Sequence, residues 1–384
     1  MKALRIERSL PRFAAARVAG RPVPLRLAEV DGPELPGPDW QLVKPRLSGI
    51  CGSDLATVSG RSSRWFEPIV SFPFVPGHEV VADAPDGRRV VVEPVLHCRI
   101  RNVEPPCPAC AAGRTNHCER LVAGHLAPGL QTGYCSDTGG GWSLALAAHR
   151  DQLHEVPAEW SDEAAVMVEP AACAVHAALL APKAPTGRAV VIGAGTIGLA
   201  TIASVSRLRD DITSLVAVAK HPGQRVLARE LGASSVVEPD ELRRAVRRTS
   251  GSWILDNGQL TGGADIVFDC VGTADSITEA LAVAAPGATV VLAGMPGSVG
   301  VDLTPLWQRE IRLVGAYAYG PEPSAGGRHS FDLAMDLVDG AGLGRLVSAA
   351  YPLDRYSDAI DHAGSAGRRG GVKIVFDLRN EKRR

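Results

Sequence analysis

From residue 188 onward the chain alternates apolar runs of strand length with amphipathic runs of helix length, and no other feature narrows its possible folds so far. The order is RAVVIGAG, LATIASVSRL, SLVAVA, RVLARELGA and SSVVE, then ADIVFDCVG, SITEALAVAA, GATVVLAG and IRLVGAYA. Strands that are apolar throughout and separated by helices predict a parallel sheet covered on both faces. The first strand–helix junction, VVIGAGTIG (190–198), sets Gly193, Gly195 and Gly198 in G-x-G-x-x-G spacing. There the first glycine permits a tight turn, the second lets a pyrophosphate approach the backbone, and the third lets helix and strand touch. Free N–H groups and the positive dipole end at the helix start favour the same anion. This α/β domain is expected over residues 177–322. It would be inserted between two pieces of a β-rich domain, 1–176 and 323–384, whose short β-like runs are cut by Gly, Pro and Asp.

A carboxylate about twenty residues beyond the fingerprint would select NAD by holding its ribose hydroxyls. The second strand, SLVAVA, runs instead into Ala219, Lys220 and His221, with Arg225 one turn into the next helix. Lys220 and Arg225 complement a 2′-phosphate, so NADP is favoured over NAD. The alternative is that both are solvated residues of a helix start.

Lys+Arg 41 against Asp+Glu 42 leaves a net charge of −1 with basic groups scattered, which points away from nucleic acid and membrane surfaces. The start, MKALRIERSLPRF, lacks the apolar core of a signal peptide. The uncharged run 189–206 contains three glycines and four hydroxyl residues, and suits a buried strand plus helix better than a membrane span. A cytoplasmic protein is expected, and in a reducing compartment grouped thiols hold metal or do chemistry. Four of the eight cysteines fall in HCRIRNVEPPCPACAAGRTNHC (97–118). Cys107-x2-Cys110, then seven residues and Cys118, have zinc-knuckle spacing, and Cys98 would close a four-sulfur site. Pro105, Pro106 and Pro108 keep the segment out of regular helix. Four inert buried thiols are the competing reading.

Hydride chemistry also needs a group that activates the substrate. SGICGSD (48–54), FVPGHEVV (74–81) and VMVEPAACAVHAA (166–178) supply Cys51, His78, and Glu79 or Glu169. One thiolate, one imidazole and one carboxylate leave a fourth zinc position open, as in catalytic sites. An ion there lowers the pKa of a bound oxygen to roughly 7 for water. Ser53 is placed to pass the hydroxyl proton outward, and Asp54 to accept the second imidazole N–H of His78.

With these motifs together, the chain resembles the zinc-dependent medium-chain alcohol dehydrogenases, nearest the polyol, glucose and threonine dehydrogenase branch, over essentially its whole length. The resemblance implies a GroES-like catalytic domain, a Rossmann coenzyme domain with a cleft between them, and a homodimer or homotetramer. It implies two zinc ions per chain. Cys51 and His78 match catalytic-zinc ligands, Glu79 and Glu169 match two carboxylates that alternate as ligand and supporting group, and Cys98, Cys107, Cys110 and Cys118 match the structural-zinc cysteines. The cofactor set comprises Gly193, Gly195, Thr196, Ile197 and Gly198, then Lys220 and Arg225, then Val271, Gly272 and Gly294. Three departures stand out. Eight residues, not two, separate Cys98 from Cys107, so either the loop carries an insertion or Cys98 is not a ligand; Glu104 occupies the regular position. Ala56 stands where a proton-relaying histidine often follows the C-G-S-D motif, and the acid after the second strand is missing.

The expected substrate is a small polar molecule, because GYCSDTGGGW (133–142), where the family lines its cleft, offers Asp137, Thr138 and Trp142. A surface loop with packing roles only is the other reading of that stretch. His149, His154 and His176 are read as hydrogen-bonded spacers rather than ligands. Three further readings compete. A zinc-independent quinone or enoyl reductase of the same fold has no need of Cys51, His78 or the cysteine lobe. A zinc-knuckle nucleic-acid binder lacks its basic stripe, because Arg99, Arg101, Arg114 and Arg120 face Glu104 and Glu119. A non-enzymatic, cofactor-sensing relative has no use for a full ligand set.

Overall fold

A computed structural model describes residues 1–19 and 24–381. The chain divides into two units, Met1–Glu169 with Gly344–Ala366 and Lys373–Arg384, and Pro170–Leu343 with Gly367–Val372.

In the second unit the apolar runs become the strands Arg188–Ile192, Ser214–Val218, Ser235–Val237, Ala264–Asp269, Ala284–Leu292 and Arg312–Gly315. All pair in parallel, in the order 3-2-1-4-5-6 counted from Arg188–Ile192. This is the Rossmann arrangement. Val190, Val191, Phe268 and Val290 are buried, as strands covered on both faces require. The run 189–206 resolves into the first strand and the helix Thr196–Leu208, so the glycine turn lies where the strand order reverses.

Two boundaries differ from those read in the sequence. The unit begins at Pro170 rather than 177, and it continues past 322 to Leu343. The reason is the helix Ser330–Ala341, hidden in a tail that reads as β-like; it packs on the helix Thr196–Leu208. Arg207 Nη2 donates to the Gly340 carbonyl at 2.8 Å, and Glu322 Oε1 meets His176 Nδ1 at 2.8 Å.

The first unit is β-rich and centres on the long strand Trp40–Gly49, which pairs antiparallel with Val80–Asp83, Lys373–Asp377 and Leu146–His149. Antiparallel pairing puts the exit of one strand beside the entry of its neighbours. Chain leaving at Gly49 therefore reaches Cys51 at the end where His78 and Glu79 lead into Val80 and where Lys373 opens the last strand. Four chemically active side chains thus share one end of the sheet. Beneath it, Leu4, Ile6, Phe74, Trp142 and Phe376 form a buried apolar core.

Candidate active site

Cys51 is the N-cap of the helix Gly52–Val58, and its N–H donates to Asp54 Oδ2 at 2.9 Å. That bond fixes where the thiol leaves the backbone. One ligand atom from each of Cys51, His78 and Glu79 lies within 4.8 Å of the other two. His78, Glu79 and Asp54 are buried. Asp54 Oδ1 and His78 Nδ1 stand 3.6 Å apart, and neither has a hydrogen-bond partner among the described residues; buried Ser53 Oγ is in the same condition. Buried polar atoms are rarely left so, and a thiol, an imidazole and a carboxylate around them form a donor set that fits zinc. Burial works against the imidazolium, but the charges of Asp54, Cys51 and Glu169 outweigh it and hold the His78 pKa well above its ordinary value. Burial raises the Asp54 carboxyl.

Glu79 forms an ion pair with Lys373, a lysine only 2 % exposed, whose Nζ also donates to the Ile50 carbonyl at 3.2 Å. Gly49 makes room for the pair, since a Cβ there would collide with Glu79 Oε2 and the lysine side chain. Glu169, in the first turn of the helix Val168–Leu180, acts electrostatically on His78 and Lys373 but lies outside the Cys51–His78–Glu79 set. Tyr134 is the other neighbour. Its ring centroid is 5.8 Å from that of His78, its hydroxyl is 3.4 Å from Thr57 Oγ1, and burial pushes its phenol pKa well up. The sequence reading missed Lys373 and Tyr134. A lone lysine inside the apolar run VKIVF was the available signal for the first.

The cysteine lobe is a separate centre. The sulfurs of Cys98, Cys107, Cys110 and Cys118 all lie within 4.8 Å of one another. Cys98 and Cys118 are 3.7 Å apart, close to the roughly 3.8 Å that tetrahedral zinc imposes on its sulfurs. Despite the eight-residue spacing, Cys98 joins the sulfur cluster. Backbone N–H groups of Cys107, Glu119 and Arg120 point at sulfurs of Cys98, Cys107 and Cys118 at 3.3, 3.5 and 3.4 Å. Although burial opposes ionisation, the N–H groups of Glu119 and Cys110 bring the Cys107 thiol below its ordinary pKa. Arg101, one of the basic residues near the lobe, is buried. Its guanidinium donates to the carbonyls of Leu96, Ala123, Leu126, Ala127 and Gly129 and so ties the lobe to the loop that follows.

In the second unit the predicted cofactor residues Gly193, Gly198, Val271, Gly272 and Gly294 pack against one another. Gly193 has φ +94°, and a Cβ there would meet Val271 Cγ2 at 2.5 Å; one at Gly198 would strike the Gly193 carbonyl. Gly272 and Gly294 are equally crowded, each against the other's segment. Gly195, the N-cap of the helix, is the exception: among the described residues, its own chain neighbours aside, nothing lies within 4 Å of where its Cβ would be. The open glycine is the one a phosphate must approach. Thr196 and Ile197 follow it, half-buried. Asp269, which the sequence reading passed over, pins the loop: its buried carboxylate accepts the N–H groups of Val271 and Gly272 at 2.9 and 3.2 Å and the Ser276 hydroxyl at 3.0 Å. Lys220 is exposed at the end of the second strand. Arg225 is less available than its position suggested, because it pairs with Glu238 at 3.1 Å and donates to the Lys220 carbonyl at 3.2 Å.

The substrate-lining expectation for Asp137, Thr138 and Trp142 is corrected. Trp142 is fully buried, edge-on to Phe376 with centroids 5.0 Å apart, and its Nε1 donates to the Gly49 carbonyl at 3.2 Å. Thr138 is buried and bonds the Gly139 carbonyl, while Asp137 Oδ2 accepts the Ala127 N–H at 2.7 Å. These polar groups satisfy backbone rather than ligand. The histidines set aside as spacers behave as such: His149 Nδ1 accepts the Asp151 N–H, and His154 Nε2 meets Glu93 at 2.9 Å.

Family models match both units: "Alcohol dehydrogenase GroES-like domain" over residues 37–158 and "Zinc-binding dehydrogenase" over residues 196–340. Sorbitol dehydrogenase of Arabidopsis thaliana is 28 % identical over 356 residues, 89 % of each chain. L-galactonate-5-dehydrogenase of Escherichia coli K12 is 28 % identical over 305 residues, 76 % of this chain and 79 % of its own. Among solved structures, a zinc-binding dehydrogenase from Sinorhizobium meliloti 1021 bound to NADP has a TM-score of 0.73 at 26 % identity, covering 98 % of both chains.

Proposed function

Because the chain belongs to the zinc-dependent medium-chain alcohol dehydrogenase family and is an oxidoreductase of that type, we propose that it moves hydride between NADP and a secondary alcohol or ketone of a small polar molecule, such as a polyol, sugar, cyclitol or amino alcohol. The observation that carries the reading is the cluster of half-buried Cys51 with buried His78 and Glu79, beside Asp54, His78 and Ser53 atoms that have no hydrogen-bond partner among the described residues. Cys51 and His78 would hold the catalytic zinc, with Glu79 the carboxylate beside them and Glu169 the second acid acting on His78. A zinc ion held there would supply Lewis-acid polarisation of a substrate oxygen, and a bound nicotinamide would supply the hydride chemistry.

The chain's own groups do the rest. Asp54 fixes the Cys51 backbone and faces His78 Nδ1, which orients the ring. Ser53 Oγ, buried and without a hydrogen-bond partner among the described residues, would be the hydroxyl that takes the substrate proton, since position 56 is alanine. The Cys98, Cys107, Cys110 and Cys118 lobe would hold a second, structural zinc.

NADP is supported by Lys220 in the place of the NAD-selecting acid, and by the S. meliloti relative's bound NADP. A polyhydroxylated substrate is supported by the substrates named in the sorbitol and L-galactonate dehydrogenases, and by Tyr134, whose ring lies beside His78 and whose hydroxyl reaches Thr57 Oγ1. A homodimer or homotetramer in the cytoplasm completes the reading. The edge strand Arg312–Gly315 exposes Leu313, and nearby Trp307 is 78 % exposed, an apolar edge suited to a second copy. Elemental analysis is the test. Two zinc ions per chain are expected, falling to one in Cys51→Ser; a metal-free protein, or an unchanged count in the variant, would overturn the assignment.

A further inference from the structure

The turn Gly367–Val372 belongs to the dinucleotide-binding unit although the chain on both sides of it belongs to the other. Gly367 lies so close to the His221 ring and the Gln224 amide that a Cβ there would collide with both. At the far end of the turn, the Gly370 carbonyl is 3.8 Å from where a Cβ on Gly223 would lie. His221, Gly223 and Gln224 form the first turn of the helix Pro222–Glu230, the residues that follow Lys220 at the end of the second strand. Between these two contacts the turn carries Arg368 and Arg369, both exposed. Arg368 makes no ion pair among the described residues, whereas Arg225 is tied to Glu238. Glycines at 367 and 370 therefore let a doubly cationic turn sit against the helix start where an NAD-type enzyme needs a carboxylate.

We propose that Arg368, delivered by this turn, is a specificity residue that grips the 2′-phosphate of NADP together with Lys220. The guanidinium offers two parallel donors to a phosphate, and the lysine adds a point charge on the strand side. Cofactor choice is then written in two places almost 150 residues apart in sequence. The inference rests on the NADP reading above and deepens it.

Calorimetric binding of 2′,5′-ADP and of 5′-AMP to the full zinc-loaded chain separates the two. Wild type should prefer 2′,5′-ADP. Arg368→Ala should weaken 2′,5′-ADP by about tenfold and Arg368→Glu by more, with 5′-AMP affinity unchanged to within about twofold. Because Arg368 is exposed, unaltered melting of both variants is the check on folding. If Lys220→Asp lowers the preference while Arg368→Glu leaves it intact, the turn only packs and the inference falls, though NADP use stands. If wild type shows no preference, the NADP reading itself is overturned and takes the inference with it.

Discussion

The two sulfur-bearing centres of the first unit are built on opposite plans. In the lobe, four like ligands come from one stretch of 21 residues, all four sulfurs lie within 4.8 Å, and backbone N–H groups already point at three of them. A zinc ion there would be fully enclosed by thiolates, with no position left for a substrate. At the sheet end, three unlike side chains come together in Cys51, His78 and Glu79, with a buried lysine from residue 373 balancing the carboxylate. Asp54, Ser53 and His78 have polar atoms there without hydrogen-bond partners among the described residues. The difference teaches how one fold separates holding from reacting. Uniform, locally supplied donors make a closed clamp, whereas mixed donors carried on separate strands leave both charge and space for chemistry.

The sharpest way to break that contrast is Cys51→Ser. It is expected to lower kcat by about a thousandfold, while NADPH affinity measured by fluorescence stays within about twofold of wild type. Turnover that survived would make the open centre as passive as the lobe.

Next in size is Lys373→Met. It leaves Glu79 buried without its counter-charge, and urea denaturation should show a loss of about 3 kcal/mol. Adding Glu79→Gln should restore much of it. A single variant as stable as wild type would mean the pair does not hold the site together.

The smallest effect on chemistry belongs to Cys110→Ser in the lobe. Its melting midpoint should fall by roughly 5 °C, while kcat at 25 °C stays within about twofold of wild type. A large loss of turnover at unchanged melting would move the lobe from holding to reacting and erase the distinction.

Much of this was readable before any coordinates. The strand–helix alternation after residue 188, the glycine spacing, the four-cysteine segment and the C-G-S-D and G-H-E motifs all encode structure through spacing along the chain. A turn, a knuckle or a parallel-sheet strand needs only neighbours in sequence to declare itself. The helix Ser330–Ala341 escaped because the tail around it reads as mixed, and its packing on Thr196–Leu208 carries the second unit on to Leu343.

What only the tertiary structure decided is which residues are buried together. Trp142 and Asp137 look like ligand-facing groups in a polar, glycine-rich stretch, yet one fills the core and the other accepts a backbone N–H. Arg225 looks free until Glu238 appears beside it, and Lys373 looks like any lysine until antiparallel pairing sets its strand next to Gly49 and Glu79. Local pattern determines backbone form because hydrogen bonding and periodicity act over a few residues. The partner of a charge and the wall of a pocket depend on long-range strand pairing, which brings together residues from opposite ends of the chain.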